Sequence, residues 1–184
     1  VRRDRTGRGA RARAAPGAGR LLAAEEAAVI ELDVPGWGAR KFEHLVLDFN
    51  GTLAEDGKLV EGVEDRLPLL CLRLRLHICT ADTFGTAAAE TRRFDAALKL
   101  LKPTVQDEQK AELVRHLGPL KTVAIGNGRN DVLMLREAAL GIAVLGREGM
   151  SPDLVESADV VCLDVVDALD LLLQPKRLVA TLRK

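Results

Sequence analysis

The sequence predicts an α/β domain built on a doubly wound, mostly parallel sheet, and three observations carry that expectation. Short apolar runs recur along the chain: Leu45-Val46-Leu47, Leu76-His77-Ile78-Cys79, Val123-Ala124-Ile125 and Val160-Val161-Cys162. Segments of helical periodicity separate them, which is the pattern of strands joined by crossover helices. Two of the runs end in glycine-containing turns with polar side chains, at Asp48 to Thr52 and Gly126 to Asp131. Ligands of open α/β sheets bind beyond such strand ends. The apolar fraction is 47% with aromatics at only 3%, which suits a sheet buried on both faces and argues against base-stacking platforms for nucleic acid.

Element by element, residues 28–34 and 41–48 read as strands, separated by the turn cluster Pro35-Gly36-Trp37-Gly38. Asp56-Gly57 between short apolar runs marks a hairpin over residues 53–60. Helices are expected over 61–72, 85–94, 107–117 and 130–139, and strands over 74–79, 96–101, 121–125 and 140–145. Ser151-Pro152-Asp153 reads as an N-capped start to a short helix with Pro at its first position. A last strand at Val160-Val161-Cys162 precedes helices over 164–173 and 175–183. The crossovers are expected to be right-handed.

The 184 residues suffice for one domain with a substantial core. The formal net charge is zero but unevenly spread: residues 1–20 hold seven Arg and one Asp. The expected organisation is a basic extension over 1–27, disordered or weakly helical, followed by a single domain over 28–184 with C-terminal helices. For the extension, a nucleic-acid arm, a transit peptide and a segment without a role are the competing readings. No apolar run reaches the length of a membrane span. Cys71, Cys79 and Cys162 are odd in number and scattered, the usage of a reducing cytoplasm without disulfides. His44, His77 and His116 lie far apart in sequence with no ligand spacing and read as structural or surface residues.

The chemistry concentrates at four places. Asp48-Phe49-Asn50-Gly51-Thr52 delivers a carboxylate at the end of a buried strand. A carboxylate there can attack phosphorus and divide a phosphoryl transfer into two steps through an aspartyl-phosphate. Gly51 lets the backbone approach, with its N–H free to face a phosphate oxygen. The plain alternative is a strand closed by an ordinary Asp turn. Gly126-Asn127-Gly128-Arg129-Asn130-Asp131 weighs against it, because a strand, a glycine-rich polar turn and a helix can hold a cation beside a phosphate. Thr80 adds a hydroxyl donor, and Lys110, at the head of an amphipathic helix, adds a cation for phosphoryl oxygens. Thr83 and Lys102 are the competitors for those two roles. For Asp131 the plain alternative is an exposed carboxylate at a helix N-terminus, favoured by the dipole.

This ordered set resembles the haloacid dehalogenase superfamily. Asp48 to Thr52 correspond to its first motif, Thr80 to its second, Lys110 to its third and Gly126 to Asp131 to its fourth. The resemblance covers roughly residues 41–174 and is nearest to the phosphorylation domain of P-type ATPases and its soluble relatives, with phosphoserine-phosphatase-type members sharing much of the pattern. It implies a Rossmann-like fold, a small β-hairpin flap over the site, Mg²⁺ as cofactor, Asp48 as nucleophile and a phosphorylated substrate. Catalytic roles fall to Asp48, Asn50, Thr80 and Lys110, phosphate contacts to Gly51, Thr52, Thr80 and Lys110, and metal contacts to Asp48, Asn50, Asn127 and Asp131.

Two residues depart from the family pattern. Asn50 stands where phosphatases carry a second Asp as general acid/base, and an amide cannot shuttle a proton; such help is typically worth about 10²–10⁴-fold. Asn127 stands where the fourth motif usually places a metal-binding Asp, and offers an oxygen without a charge. Asp82 could supply a replacement acid or simply cap the next helix. Only 31 residues lie between Asp48 and Thr80, and 29 between Thr80 and Lys110. The core elements fill both gaps, so a capless domain is expected, with the flap or a neighbouring subunit as the only lid. The leading expectation is a slow Mg²⁺-dependent phosphatase. The alternative is a non-hydrolytic phosphate- and metal-binding module, and a nucleic-acid role fits poorly with the neutral charge.

Overall fold

The computed structural model describes residues 29–184. The expected basic extension therefore lies outside the described residues. Strand β1 (Ile30–Val34) turns at Pro35 to Trp37 into β2 (Gly38–Phe42), and the two form an antiparallel sheet of their own. Next come β3 (His44–Asp48), a short hairpin of β4 (Ala54–Glu55) and β5 (Lys58–Leu59), helix α1 (Val63–Cys71), β6 (Arg75–Thr80), α2 (Ala87–Thr91) and β7 (Ala96–Leu100). The second half contains α3 (Gln106–Leu117), β8 (Thr122–Gly126), α4 (Val132–Glu137), β9 (Leu140–Val144), β10 (Val160–Cys162), α5 (Val165–Leu173) and α6 (Pro175–Leu182).

The central sheet has six parallel strands in the order β10-β9-β8-β3-β6-β7. The chain builds outward from β3 through β6 to β7, then returns to the other side of β3 with β8, β9 and β10. The order therefore reverses between β3 and β8, and the carboxyl ends flanking that reversal are where open α/β sheets form their crevice. Asp48 ends β3, and the Gly126 turn follows β8.

Alternation along the strands divides the core. Leu45, Leu47, Leu76, Ile78, Val123 and Ile125 face α1, α5, α6 and the small β1–β2 sheet. Val46, Cys79, Ala124 and Ala143 face Val114, Met134, Leu135 and Leu154 on the other side. Helices cover both faces, so the continuous apolar runs need no polar side. Asp164 caps α5, its carboxylate accepting from Asp167 N–H at 2.9 Å. Arg66 on α1 makes a two-toothed ion pair with Asp170 on α5, at 2.8 and 3.0 Å.

Several expected boundaries are corrected. The predicted strand 41–48 is broken at Glu43, where the chain leaves one sheet for the other: Glu43 N–H donates to Lys121 O, and its carbonyl accepts from Arg75 N–H. The predicted helix 85–94 shrinks to Ala87–Thr91 because Gly85 takes a left-handed conformation, with φ 68°. The helix expected from residue 130 begins as a 3₁₀ turn over Arg129–Asp131. Ser151 does not cap with its side chain; Pro152–Ser157 is a 3₁₀ segment whose Leu154 N–H bonds the Ser151 carbonyl.

Candidate active site

Asp48 and Asp131 converge on one lysine. Lys110, on the buried face of α3, places Nζ 2.6 Å from Asp48 Oδ1 and 2.6 Å from Asp131 Oδ1. Lys110 and Asp131 are wholly buried and Asp48 nearly so. The competing Lys102 is exposed. Asp131 Oδ2 accepts from Asn127 N–H at 3.1 Å and Gly128 N–H at 2.9 Å, so that carboxylate fastens the turn that follows β8. The turn requires glycine at 126: a side chain there would run into the Asp131 carboxylate. The exposed helix-start alternative for Asp131 is thus excluded, and both of its oxygens are engaged by the chain itself.

Thr52 closes the other side. Its Oγ1 lies 3.2 Å from both Asp48 Oδ2 and Asn127 Oδ1. Gly51 holds φ at 77°, and a Cβ at that position would strike the Asn127 amide. One expectation fails at this turn. Gly51 N–H is not free for a phosphate oxygen, because it donates to Ala54 O at 2.7 Å. Asn127 also ties the crevice to the loop after β9, Nδ2 donating to Gly149 O at 3.0 Å and its carbonyl accepting from Ser151 N–H at 2.9 Å. An aspartate at 127 would set a carboxylate oxygen against that Gly149 carbonyl, so the amide serves the loop as well as the crevice.

Thr80 occupies the second-motif position at the end of β6. Its Oγ1 receives Asn50 Nδ2 at 3.2 Å and Asp82 N–H at 2.8 Å. Those two donors fill the hydroxyl's lone pairs and leave its proton as a donor. Thr83 is exposed and does not replace it. Asp82, at φ 52°, accepts from Ala87 N–H at 3.0 Å and caps α2. Asn50 Oδ1 is buried and has no hydrogen-bond partner among the described residues.

Charge in the crevice is unbalanced. Two carboxylates face one ammonium. Burial, reinforced by the Asp131 carboxylate, pushes Asp48 up to about 7 against the opposing pull of Lys110 and Thr52. Burial works to strip the proton from Lys110, but the two carboxylates prevail and hold it above the ordinary lysine value. Among the described residues no three His, Cys, Asp or Glu side chains converge as a metal cage. What the crevice offers is hard oxygens, Asp48 Oδ2 and Asn127 Oδ1 about a shared hydroxyl, with an excess negative charge. That donor set fits Mg²⁺, which takes one or two carboxylates and keeps several waters.

The hairpin β4–β5 is stitched down on two sides. Thr86 Oγ1 donates to Gly57 O at 2.5 Å and Leu59 N–H to Glu90 Oε2 at 3.3 Å on one side, while Asp56 N–H donates to Glu148 Oε1 at 3.1 Å on the other. No sequence signal marks Glu148 as that partner. An open groove of about 760 Å³ bounded by Pro103, Asn130, Arg136 and Pro152 lies beside the crevice and includes none of Asp48, Thr80 and Lys110.

His44 and His77, far apart in sequence and read as structural or surface residues, meet with Nδ1 and Nε2 3.1 Å apart. Burial, then the neighbouring His44 and Arg75 charges, push His77 down to about 4 from 6.5. The unfolded chain therefore binds protons that the folded one refuses. The associated stability is present above about pH 6.5 and is lost as pH falls through 4. His77→Gln is expected to flatten that acid loss. Melting temperatures at pH 7.5 and 5 for both proteins check this, and equal acid losses would contradict it.

The comparisons with known proteins bear on the fold. No family model matches the chain. Solved structures that share its fold include 3-deoxy-D-manno-octulosonate 8-phosphate phosphatase from Moraxella catarrhalis in complex with magnesium, phosphate and KDO (TM-score 0.56, 17% identity, covering 77% of this chain and 94% of that one); a haloacid dehalogenase-like family hydrolase from Streptococcus pneumoniae (0.54, 14%, 70% and 97%); and phosphoserine phosphatase in apo form (0.55, 16%, 70% and 98%). The chain has the haloacid dehalogenase fold. A curated but uncharacterised protein of Methanocaldococcus jannaschii is 46% identical over 85 residues, which cover 46% of this chain and 87% of that protein. The two belong to one family. Phospholipid-transporting ATPase 2 of Arabidopsis thaliana is 32% identical over 111 residues, covering 52% of this chain but only 10% of its own length. A haloacid dehalogenase fold with a P-type-ATPase-like stretch matches the resemblance drawn from the motifs. No helix among the described residues is long and apolar enough to cross a membrane.

Proposed function

We propose that this chain is a Mg²⁺-dependent phosphoryl-transfer hydrolase that works through an aspartyl-phosphate on Asp48 and turns over slowly. The observation that carries the reading is the Asp48 carboxylate, delivered by β3 to the switch point and held between Lys110 Nζ and Thr52 Oγ1. Hydrolases of the same fold support it, one of them with magnesium and phosphate bound. Bound Mg²⁺ would supply positive charge for the phosphoryl oxygens and keep Asp48 ionised, and Asp48 and Asn127 are the side chains that would hold it. We also place the protein in the cytoplasm, in keeping with three free cysteines, two of them buried.

The chain's own residues divide the work. Asp48 attacks phosphorus. Lys110 orients that carboxylate and neutralises charge that builds on the phosphoryl group. Thr80 donates its remaining proton to a phosphoryl oxygen. Asp131 holds Lys110 and the Gly126 turn in place. Release of phosphate then needs water to attack without a base, because Asn50 is an amide and Asp82 is engaged at α2. That same feature favours a second reading, a phosphate-binding module that is not a turnover enzyme.

Asn50→Asp separates the two readings. It restores a proton shuttle beside the leaving oxygen, and turnover of a generic phosphomonoester is expected to rise about 10–10³-fold. Initial rates with intact mass checked, since Asn50-Gly51 is prone to deamidation, provide the measurement. A rate no higher than wild type favours the binding module.

A further inference from the structure

Among the described residues the crevice holds no free acid for a departing oxygen, and this selects among phosphoryl donors. Asp131 has one oxygen on Lys110 and the other on two backbone N–H groups. Asp82 accepts from Ala87 N–H at 3.0 Å at the start of α2. Lys110 is divided between two carboxylates, which hold its proton above the ordinary lysine value. Thr52 and Thr80 bring neutral hydroxyls, and Asn50 and Asn127 bring amides; none of these is an acid at neutral pH. The rim selects a second time, by charge. The hairpin leaves the crevice turn at Ala54, whose carbonyl accepts from Gly51 N–H, and the loop after β9 meets the same turn at Gly146, where a Cβ would lie 3.2 Å from Gly51 O. These two segments carry Glu55, Asp56 and Glu148 against Lys58 and Arg147. Arg147 already faces Glu55 at 3.7 Å, and Arg129, in the turn after β8, faces Asp153 at 3.0 Å. A leaving group with several negative charges meets no surplus of cations there.

Resting on the phosphoryl-transfer reading above, we propose that the phosphoryl donor is an acyl phosphate, a phosphoryl group carried on the carboxylate of an organic acid. An alkyl phosphate departs as an alkoxide and needs an acid that this site does not have. A phosphoanhydride departs without one, but its leaving phosphate brings two or more negative charges to a rim already rich in carboxylates. An acyl phosphate meets both conditions: a carboxylic acid ionises near pH 4, so its anion leaves unprotonated with a single charge. A lone pair of the Asp48 carboxylate forms the new O–P bond, and the bond from phosphorus to the bridging oxygen breaks with its electron pair going to that oxygen. The leaving carboxylate takes no proton. Water then attacks phosphorus, the pair of the Asp48 O–P bond returns to the Asp48 carboxylate, and dihydrogen phosphate is released with both protons of that water.

The test compares acetyl phosphate, ethyl phosphate and pyrophosphate as labelling reagents for the full chain in Mg²⁺ at neutral pH, with phosphoryl incorporation followed by intact mass after acid quench. Acetyl phosphate is expected to label fastest. Because the three reagents differ in intrinsic reactivity, changes in their rate ratios between variants decide the matter. Asn50→Asp supplies an acid that only the alkoxide needs, so the ratio of acetyl to ethyl phosphate rates should fall about 10–10³-fold. Glu55→Gln releases Arg147, so the ratio of acetyl phosphate to pyrophosphate rates should fall about tenfold, the scale of one unmet charge near a protein surface. Pyrophosphate labelling the wild type as fast as acetyl phosphate, or either ratio unmoved by its variant, overturns the inference and leaves the aspartyl-phosphate reading standing. Labelling by none of the three overturns both.

Discussion

Lys110→Met is expected to destabilise the domain by about 3–5 kcal/mol in the absence of divalent cation, the usual cost of removing one partner from a buried ion pair. The ammonium sits 2.6 Å from each of two buried carboxylates, and methionine fills its volume without its charge. For a domain of this size the melting temperature should fall by roughly 6–20 °C. Mg²⁺ should recover part of the loss, because it meets the same carboxylates. Adding Asp48→Asn to Lys110→Met should also recover part, since it removes one of the two stranded charges. Phosphorylation should slow, because no ammonium remains to orient the Asp48 carboxylate and to neutralise charge that builds on the phosphoryl group. Differential scanning calorimetry of the single and double variants, with and without Mg²⁺, measures each term. An unchanged melting temperature would show that the lysine does not hold the site together.

Asp48→Asn should have the opposite balance: a large loss of chemistry and little loss of stability. The variant leaves Lys110 in a one-to-one pair with Asp131 and removes the repulsion between two buried carboxylates. The fold should therefore be at least as stable as wild type without cation. Turnover should drop by about 10⁴-fold or more, the scale seen when a nucleophile is removed. Steady-state rates on an activated phosphoryl donor, paired with thermal melts, separate the two effects. A variant that unfolds would place Asp48 among the structural residues.

The main features of fold and site were legible in the sequence because they are local. A buried apolar run ending in Asp48 with Gly51-Thr52 behind it announces both a strand and its reactive end. Lys110 outranked Lys102 through its place in the helical pattern; in the structure Lys110 is buried and Lys102 exposed. What could not be read depends on register and distant loops. His44 and His77 meet only because β3 and β6 pair with His44 opposite Arg75 and Val46 opposite His77. Glu43 breaks a continuous strand pattern because Lys121, just before β8, and Arg75 of β6 take its backbone groups. The Gly51 amide was lost to Ala54 by a tight turn whose closure no residue type announces. The role of Asn127 in holding Gly149 was hidden for the same reason: a loop 22 residues away supplies the partner.

The central claim is that Asp48 becomes covalently phosphorylated. Wild-type protein incubated with acetyl phosphate and Mg²⁺, acid-quenched and digested, should yield the peptide containing Asp48 with one added phosphoryl group. Hydroxylamine should remove that group, as it does from acyl phosphates, and fragmentation should place it on Asp48. A label elsewhere in the chain, or one that survives hydroxylamine, would contradict the account.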